Sequence, residues 1–186
     1  MDSNDKQEDI LLLHRIKKGD NDAVTDLYNK YVNRIYSMIL NQVDRDRETA
    51  QEILQETFIA AVRSAGKFRG KSEVYTWLCS IASKKVADFY RRKKRESKYR
   101  SEYVIDPEVI GDTNLSIADL SESRETRINI RQNLFSLPLA YRQVLVLKYV
   151  EGFQVSEISD ILQRSPKSVE GLLTRARKAF QEGLKL

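Results

Sequence analysis

Residues 68–95 read FRGKSEVYTWLCSIASKKVADFYRRKKR, and this stretch decides the fold. Its apolar side chains recur at steps of three and four residues, a spacing that places them on one face of a helix. These are Val74, Trp77, Leu78, Ile81, Ala82, Val86 and Phe89. Ser72 is positioned to cap the helix start. The pattern predicts a helix with one buried face and a strongly basic C-terminal end.

The other faces of this helix are not explained by a core. They carry Tyr75, Ser80, Ser83, Lys84, Ala87 and Arg91. The basic run at residues 91–95 has two interpretations. It suits a solvated helix C-terminus, where cations interact favourably with the helix dipole. It also suits a polyanion, because bases stack on aromatic rings while Lys and Arg follow phosphates.

The flanking sequence predicts an all-α protein. Helical periodicity covers residues 22–40, capped by Asp20 or Asn21, and residues 46–65, which end before Gly66. A shorter helix is expected over residues 11–18. Further along, one helix ends near Pro138. The next segment, VLVLKYV, fits a buried strand or a buried helix, and its helical neighbours favour the helix.

Two more helices follow, over residues 155–162 and from Pro166 onward, with Ser165 as the cap of the second. Two short helices joined by a tight turn form a helix-turn-helix, whose second helix enters the DNA major groove with its N-terminal residues at base edges. Such shapes also occur in proteins that bind no DNA. The basic balance of residues 127–186, ten cations against five anions, favours DNA.

Charge divides the chain into blocks that mark its domains. Residues 84–100 carry nine basic against two acidic side chains, whereas residues 101–126 carry seven acidic against one basic. The acidic block also holds Pro107 and Gly111 and has no apolar period, so it is interpreted as a flexible linker. We therefore expect two small helical domains, residues 1–100 and 127–186, joined by residues 101–126.

Composition argues against catalysis and against metal binding. The 186 residues include one histidine, His14, and one cysteine, Cys79, which leaves no disulfide, no Cys-rich zinc site and no credible catalytic constellation. We expect no enzyme activity, no cofactor, no metal and no small-molecule substrate. The acidic N-terminus is not a secretory signal and no apolar run has the length of a membrane span, so a cytoplasmic protein is expected. The net charge is +5, but the distribution of charge along the chain is more informative than this total.

Three stretches together resemble the extracytoplasmic-function (ECF) group of bacterial RNA polymerase sigma factors. ETAQEILQETFIAAVRSAGKFRG, residues 48–70, is similar to the family's core-polymerase-binding helix and the loop after it. SEVYTWLCSIASKKVADFYRRKKR, residues 72–95, resembles the promoter-melting helix. LPLAYRQVLVLKYVEGFQVSEISDILQRSPKSVEGLLTRARKAF, residues 137–180, resembles the C-terminal domain. The resemblance implies a region 2-like and a region 4-like domain around the linker.

The resemblance also implies three sets of functional residues. The first would dock on a coiled coil of the largest polymerase subunit: Gln51, Glu52, Gln55 and Glu56. The second would capture a flipped base of the −10 element and hold its phosphates: Phe68, Arg69, Lys71, Ser72, Tyr75, Lys84, Lys85, Arg91, Arg92 and Arg95. The third would read the −35 element: Lys167, Ser168, Glu170, Gly171, Thr174, Arg175 and Lys178. Trp77 lies at an inward position and is expected in the core.

Two departures from the family pattern bear on these expectations. Relatives often carry Arg or Lys where Glu170 and Leu172 stand, and Asn where Lys84 or Lys85 stands. A carboxylate in the groove accepts only from a base donor such as cytosine N4. Glu170 therefore either reads such a base or packs away from the DNA.

The resemblance implies a sigma factor that binds RNA polymerase core and promoter DNA and helps to melt the −10 region. It also implies an anti-sigma partner, often membrane-bound in the family. The acidic linker would thread through the polymerase near its active centre, or serve only as a soluble tether. An enzyme and an autonomous DNA-binding regulator are the alternatives. The regulator would explain residues 127–186 but not the docking surface of residues 51–56.

Overall fold

The computed structural model describes residues 3–100 and 124–184, and every regular element within these ranges is helical. The predicted linker, residues 101–126, lies outside the described residues except at its end, where a helix already begins at Arg124. The helices are α1 (Ser3–Lys17), α2 (Asn21–Leu40), α3 (Arg47–Ser64), α4 (Val74–Arg100), α5 (Arg124–Ser136), α6 (Leu139–Leu145), α7 (Val155–Leu162) and α8 (Pro166–Gly183). The prediction of an all-α fold is confirmed.

The N-terminal domain packs α2, α3 and α4 around their apolar stripes. Leu27, Ile35, Leu78 and Val86 have no exposed surface. Burying side chains of this size contributes about 1.5–3 kcal/mol each. The basic stretch after Val86 extends beyond this core, so α4 is anchored by its first four turns.

Helix α1 begins at Ser3, well before the predicted start at residue 11. Its extension is held by Asp9, which is almost fully buried. The Asp9 carboxylate accepts a hydrogen bond from the Tyr31 hydroxyl and pairs with Lys30, whose Nζ lies 2.7 Å from Oδ1. Burial and this hydrogen bond raise the pKa of Tyr31 above its usual range. These partners lie on α2, so the local sequence gives no sign of them.

The loop before α4 differs from the prediction. Helix α3 tightens into a 3₁₀ turn over Ala65–Lys67, and α4 begins at Val74. Ser72 therefore lies two residues before the helix and does not cap it. The backbone hydrogen bonds of α4 start at Glu73, whose carbonyl accepts from the Trp77 N–H.

The C-terminal domain contains α5 to α8 and confirms the helix over the ambiguous VLVLKYV segment. Helix α6 continues as a π-helical turn over Val146–Val150, with Val146 and Leu147 buried. Gln163 adopts a left-handed conformation, φ 51°, and forms the tight turn between α7 and α8. The Ser165 hydroxyl accepts from the Ser168 N–H, and Pro166 occupies the first turn, as predicted.

The two domains pack directly against each other, and α7 lies along α4. Tyr75 is 3% exposed and Ser83 is also 3% exposed, although the sequence placed both outside the core. The expectation that their face of α4 stays open is wrong for these two residues, because the C-terminal domain covers it. The apolar core is consequently continuous across both domains.

We predict that Asp46→Ala lowers the free energy of unfolding by about 1 kcal/mol at pH 7, measured by urea denaturation. Asp46 caps α3: its Oδ1 accepts from the Thr49 N–H at 3.0 Å and its Oδ2 from the Thr49 hydroxyl at 2.7 Å. Partial burial acts to raise the pKa of Asp46, but these hydrogen bonds hold it below its usual value.

A depressed pKa means that the stabilisation is present above the unfolded-state pKa of about 3.9 and is lost as pH falls through the folded-state value. The difference in the free energy of unfolding between the wild type and Asp46→Ala should therefore become smaller below about pH 4. Asp46→Asn retains an acceptor and should show a smaller loss without this pH dependence. If the wild type were more stable than Asp46→Ala by the same free energy of unfolding at pH 3 and at pH 7, the prediction would be contradicted.

Candidate functional site

The predicted docking residues lie together on the outer face of α3. Gln51, Glu52 and Gln55 are exposed and Glu56 is half-buried. Between them, Ile53 and Leu54 point into the core. Because residues four apart share a helix face, Glu52 and Glu56 present their carboxylates side by side. The surface is polar, acidic and fixed by the core beneath it.

These carboxylates contact cations that were predicted to bind promoter phosphates. Lys85 Nζ lies 3.0 Å from Glu56 Oε2, and Arg92 reaches both Glu52 Oε1 at 3.3 Å and Glu56 Oε1 at 3.6 Å. Partly exposed ion pairs of this kind contribute about 0.2–1 kcal/mol each, so a stronger partner displaces them readily. The two candidate sites thus form one surface across α3 and α4.

The loop that precedes α4 projects its charged side chains into solvent. Arg69 and Lys71 are exposed, whereas Ser72 is half-buried. Phe68 packs on Trp77 with ring centroids 5.2 Å apart, so both aromatics support the loop. Trp77 is half-buried against the core, in agreement with its inward position.

Tyr75 lies under the C-terminal domain. Its hydroxyl donates to Glu151 Oε2 at 2.8 Å, and its ring stacks on Phe153 with centroids 5.7 Å apart. The Arg34 guanidinium lies 3.7 Å from the same ring. Burial, followed by the neighbouring Cys79 and Glu151, raises the pKa of Tyr75, which therefore stays protonated and acts as a donor. Burial also raises the pKa of Cys79 to about 12.

The other α4 cations that were predicted to hold phosphates are Lys84, Arg91 and Arg95. Arg91 pairs with Asp88 one turn earlier, and Arg95 is exposed. Lys84 is exposed. Lys84 and Arg91 line a groove of about 350 Å³ whose opposite wall includes the α7–α8 turn at Gln163 and Arg164. Basic groups of both domains thus border one groove.

The predicted −35 residues follow one side of α8. Its buried side carries Val169, Leu172, Leu173 and Ala176. Outward, Ser168 and Gly171 are half-buried, and the exposed positions are Lys167, Glu170, Thr174, Arg175 and Lys178. Glu170 is exposed, so it does not pack into the domain, and its carboxylate is available to a groove.

Sequence reasoning missed a polar cluster at the domain interface. Gln42 is fully buried, and Arg142 and Gln143 are 6% and 7% exposed. Arg142 Nη1 donates to the Gln42 carbonyl at 3.2 Å, and its guanidinium lies over the rings of Tyr90 and Phe135. In the sequence, Arg142 and Gln143 are a polar pair inside an apolar helix. Such a pair does not indicate which residues it contacts.

Among residues 3–100 and 124–184, no helix combines the length and apolar character needed to cross a membrane. Within the same described residues, no group of three or more His, Cys, Asp or Glu side chains is arranged to hold a metal ion.

The match to solved structures agrees with this arrangement of helices. The chain superposes with a TM-score of 0.66 on the sigma factor RpoE in complex with the anti-sigma factor NepR from Bartonella quintana, at 18% identity over 87% of this chain and 96% of that one. It superposes at 0.64 on CnrH in complex with the cytosolic domain of CnrY, at 22% identity over 95% and 97%. At these identities the likeness concerns the fold.

Sequence comparison identifies the family of this chain. Residues 27–96 match the family model of Sigma-70 region 2, and residues 128–180 match that of Sigma-70, region 4. The ECF RNA polymerase sigma factor SigW of Bacillus subtilis is 31% identical over 93% of this chain and 95% of its own length. The RNA polymerase sigma-H factor of Pseudomonas aeruginosa is 30% identical over 96% and 95%. The chain therefore belongs to the ECF sigma factors, non-enzymatic initiation factors that direct RNA polymerase to promoters.

Proposed function

We propose that the α3 face formed by Gln51, Glu52, Gln55 and Glu56 binds the core enzyme of RNA polymerase. A convex, polar and acidic helix face held by a rigid core fits a basic partner helix. The observation that carries the proposal is the pairing of Glu52 and Glu56 with Arg92 and Lys85. A polymerase cation that engages these carboxylates would release two cations of α4 for DNA.

The −10 surface would combine the 68–72 loop with the cations of α4. Extruding a base costs a few kcal/mol, which contacts to the base and to neighbouring phosphates must offset. Arg69 and Lys71 stand free in solvent for such contacts, and Arg91, Arg92 and Arg95 continue the basic track along the helix. Tyr75 would join this surface only after the C-terminal domain moves away.

The −35 surface would be the outer side of α8 inserted in the major groove. Its N-terminal turn, with Lys167 and Ser168, would lie nearest the base edges, while Arg175 and Lys178 would follow the backbone. Gly171 leaves space on this side, because a Cβ added there would meet nothing within 4 Å. Glu170 would accept from cytosine N4, and Thr174 would contribute its hydroxyl.

An anti-sigma factor is the further partner that we propose. RpoE was solved with the anti-sigma factor NepR, and CnrH with the cytosolic domain of CnrY. We also propose that the chain works in the cytoplasm and is retained at the membrane when such a partner is anchored there. No cofactor or small-molecule substrate is needed for this function. Residues 1–100 and 127–186 would act as the two binding domains, and residues 101–126 as the linker through the polymerase.

We predict that Glu52→Lys with Glu56→Lys weakens core binding about tenfold or more, which corresponds to about 1.4 kcal/mol. The reversed charges would repel the basic partner. Binding to purified core by fluorescence anisotropy and promoter-specific run-off transcription would both be measured. The matched control is Asp22→Lys with Asp26→Lys, which reverses two exposed carboxylates at the same spacing on α2.

The control should bind core and support transcription like the wild type. Wild-type core affinity in the Glu52 and Glu56 variant would refute the docking surface. A wild-type chain that binds promoter DNA tightly alone and gains nothing from core would instead support an autonomous DNA-binding regulator.

We predict that Lys84→Ala with Arg91→Ala flattens the salt dependence of promoter binding by the polymerase holoenzyme. Each phosphate contact contributes about 0.9 to the slope of log K against log salt on duplex DNA and about 0.7 on a single strand. The double variant should lose about 1.4–1.8 of that slope. Lys6→Ala with Lys18→Ala removes one exposed cation of α1 and one in the turn after it, and should leave the slope unchanged. An unaltered slope in the α4 variant would mean that these cations are a solvated helix end.

A further inference from the structure

The 68–72 loop, which we propose for the −10 element, is fixed by backbone hydrogen bonds at its two ends. At one end the Phe68 N–H donates to the Ala65 carbonyl at 3.2 Å. At the other end the Trp77 N–H donates to the Glu73 carbonyl at 3.0 Å. The shape of the loop between these points therefore depends on the side chains that pack against it.

Helix α1 contacts the segment around this loop at three points. The first is Gly70, where an added Cβ would lie 3.9 Å from Ile10 Cδ1, an ordinary van der Waals distance. The second is Gly66 in the preceding 3₁₀ turn, where an added Cβ would lie 3.4–3.6 Å from three carbons of the Lys17 side chain. The third is a cavity of about 10 Å³ between α1 and the start of α4, lined by Lys6, Asp9, Glu73 and Val74.

Helix α1 is itself firmly attached to the N-terminal core. Its Leu13 and Ile16 side chains are buried, and Asp9 accepts the hydrogen bond from the Tyr31 hydroxyl of α2. A helix held in this way keeps its place when the loop moves. The match to Sigma-70 region 2 begins at residue 27, so α1 lies outside the matched range.

We propose that α1 positions the 68–72 loop for the capture of an extruded base, and that Ile10 and Lys17 are the positioning residues. The inference rests on the proposed assignment of this loop to the −10 element. It adds a role for a helix that lies outside the family match. Because the loop is held in one shape before DNA arrives, binding has to order fewer backbone dihedrals, and this raises the affinity.

The position of the Ile10 contact suits this role. Gly70 lies between Arg69 and Lys71, the two exposed cations of the loop, so a shift of its backbone moves both of them. Ile10 is 42% exposed, which means that a substitution there removes little from the core. Its neighbour Leu11 is 59% exposed and provides a matched control on the same helix.

The first test asks whether Ile10 acts through the captured base. Core polymerase would be assembled with the full-length Ile10→Ala chain. Its binding would be measured on a fork-junction DNA whose single-stranded −10 segment was selected from random sequence by the wild-type holoenzyme. A series of probes replaces one −10 nucleotide at a time with an abasic site. The replacement that weakens the wild type most marks the captured base.

Ile10→Ala should weaken binding to the intact probe by about fivefold, the factor that corresponds to ordering about one backbone residue. On the probe without the captured base, the variant and the wild type should bind nearly alike, and this non-additivity measures the coupling. Ile10→Leu retains a δ carbon and should restore binding. Leu11→Ala should bind both probes like the wild type. Urea denaturation would verify that each variant is folded.

The second test uses Lys17 and separates packing from charge. Lys17→Ala removes the carbons that lie across Gly66, whereas Lys17→Met retains them and removes the charge. Lys17→Ala should lose affinity for the intact probe alone, and Lys17→Met should bind like the wild type. Lys18→Ala removes the adjacent exposed cation and is the control. Equal losses in Lys17→Ala and Lys17→Met would mean that the ammonium group binds DNA, and would overturn the positioning role of Lys17.

A folded Ile10→Ala chain that binds both probes like the wild type, or that is weakened equally on both, would overturn the positioning role of α1. The assignment of the loop to the −10 element would remain intact. A wild-type holoenzyme that is indifferent to every abasic replacement would refute that assignment, and the role of α1 with it. The abasic series on the wild type therefore distinguishes the two failures.

Discussion

Helix α4 must serve two packing partners with one short stretch of sequence. Its apolar stripe, including Leu78 and Val86, is buried against α2 and α3, and its adjacent face at Tyr75 and Ser83 meets the C-terminal domain. The first contact buries whole aliphatic side chains at about 1.5–3 kcal/mol each. The second adds hydrogen bonds with a net value of about 0.5–1.5 kcal/mol each to an apolar core that is continuous across both domains. One helix therefore packs against both domains.

Charge is distributed around α4 in a way that follows from this packing. The cations nearest α3, Lys85 and Arg92, are held by carboxylates, while Lys84 and Arg95 face away from α3. A helix with so many like charges would repel itself without such neutralisation. The acidic α3 surface stabilises the basic one, so the residues that we propose for polymerase and those that we propose for DNA depend on each other in the folded chain.

The helices and the turns were predictable where the signals are local. Asp46, Ser165 and Pro166 cap or begin helices as their chemistry dictates, and the apolar periods of α2 and α7 gave their bounds closely. The family pattern supplied the candidate site residues. It could not supply the covering of Tyr75, because Glu151 lies 76 positions away along the chain.

Tertiary contacts also account for the other differences. The early start of α1 depends on Asp9 meeting Tyr31, and the ambiguous VLVLKYV segment becomes helical where α8 and α7 surround it. Gln143 looked like one polar residue in an apolar helix. Its side-chain amide donates hydrogen bonds to Gln42 and Ser83, which lie 101 and 60 residues earlier. Pattern reading finds elements and motifs, whereas the pairing of distant polar groups comes only from the packed domains.

The buried thiol of Cys79 has a consequence for how the chain responds to oxidants. Peroxides and disulfides react with thiolates, and burial raises the pKa of Cys79 to about 12, which disfavours the thiolate at pH 7. Tyr75 and the surrounding core also deny reagents access to the sulfur. With no other cysteine in its sequence, the folded chain is insensitive to thiol oxidation. A thiol-based response to cellular redox state would therefore need a reactive group on another molecule.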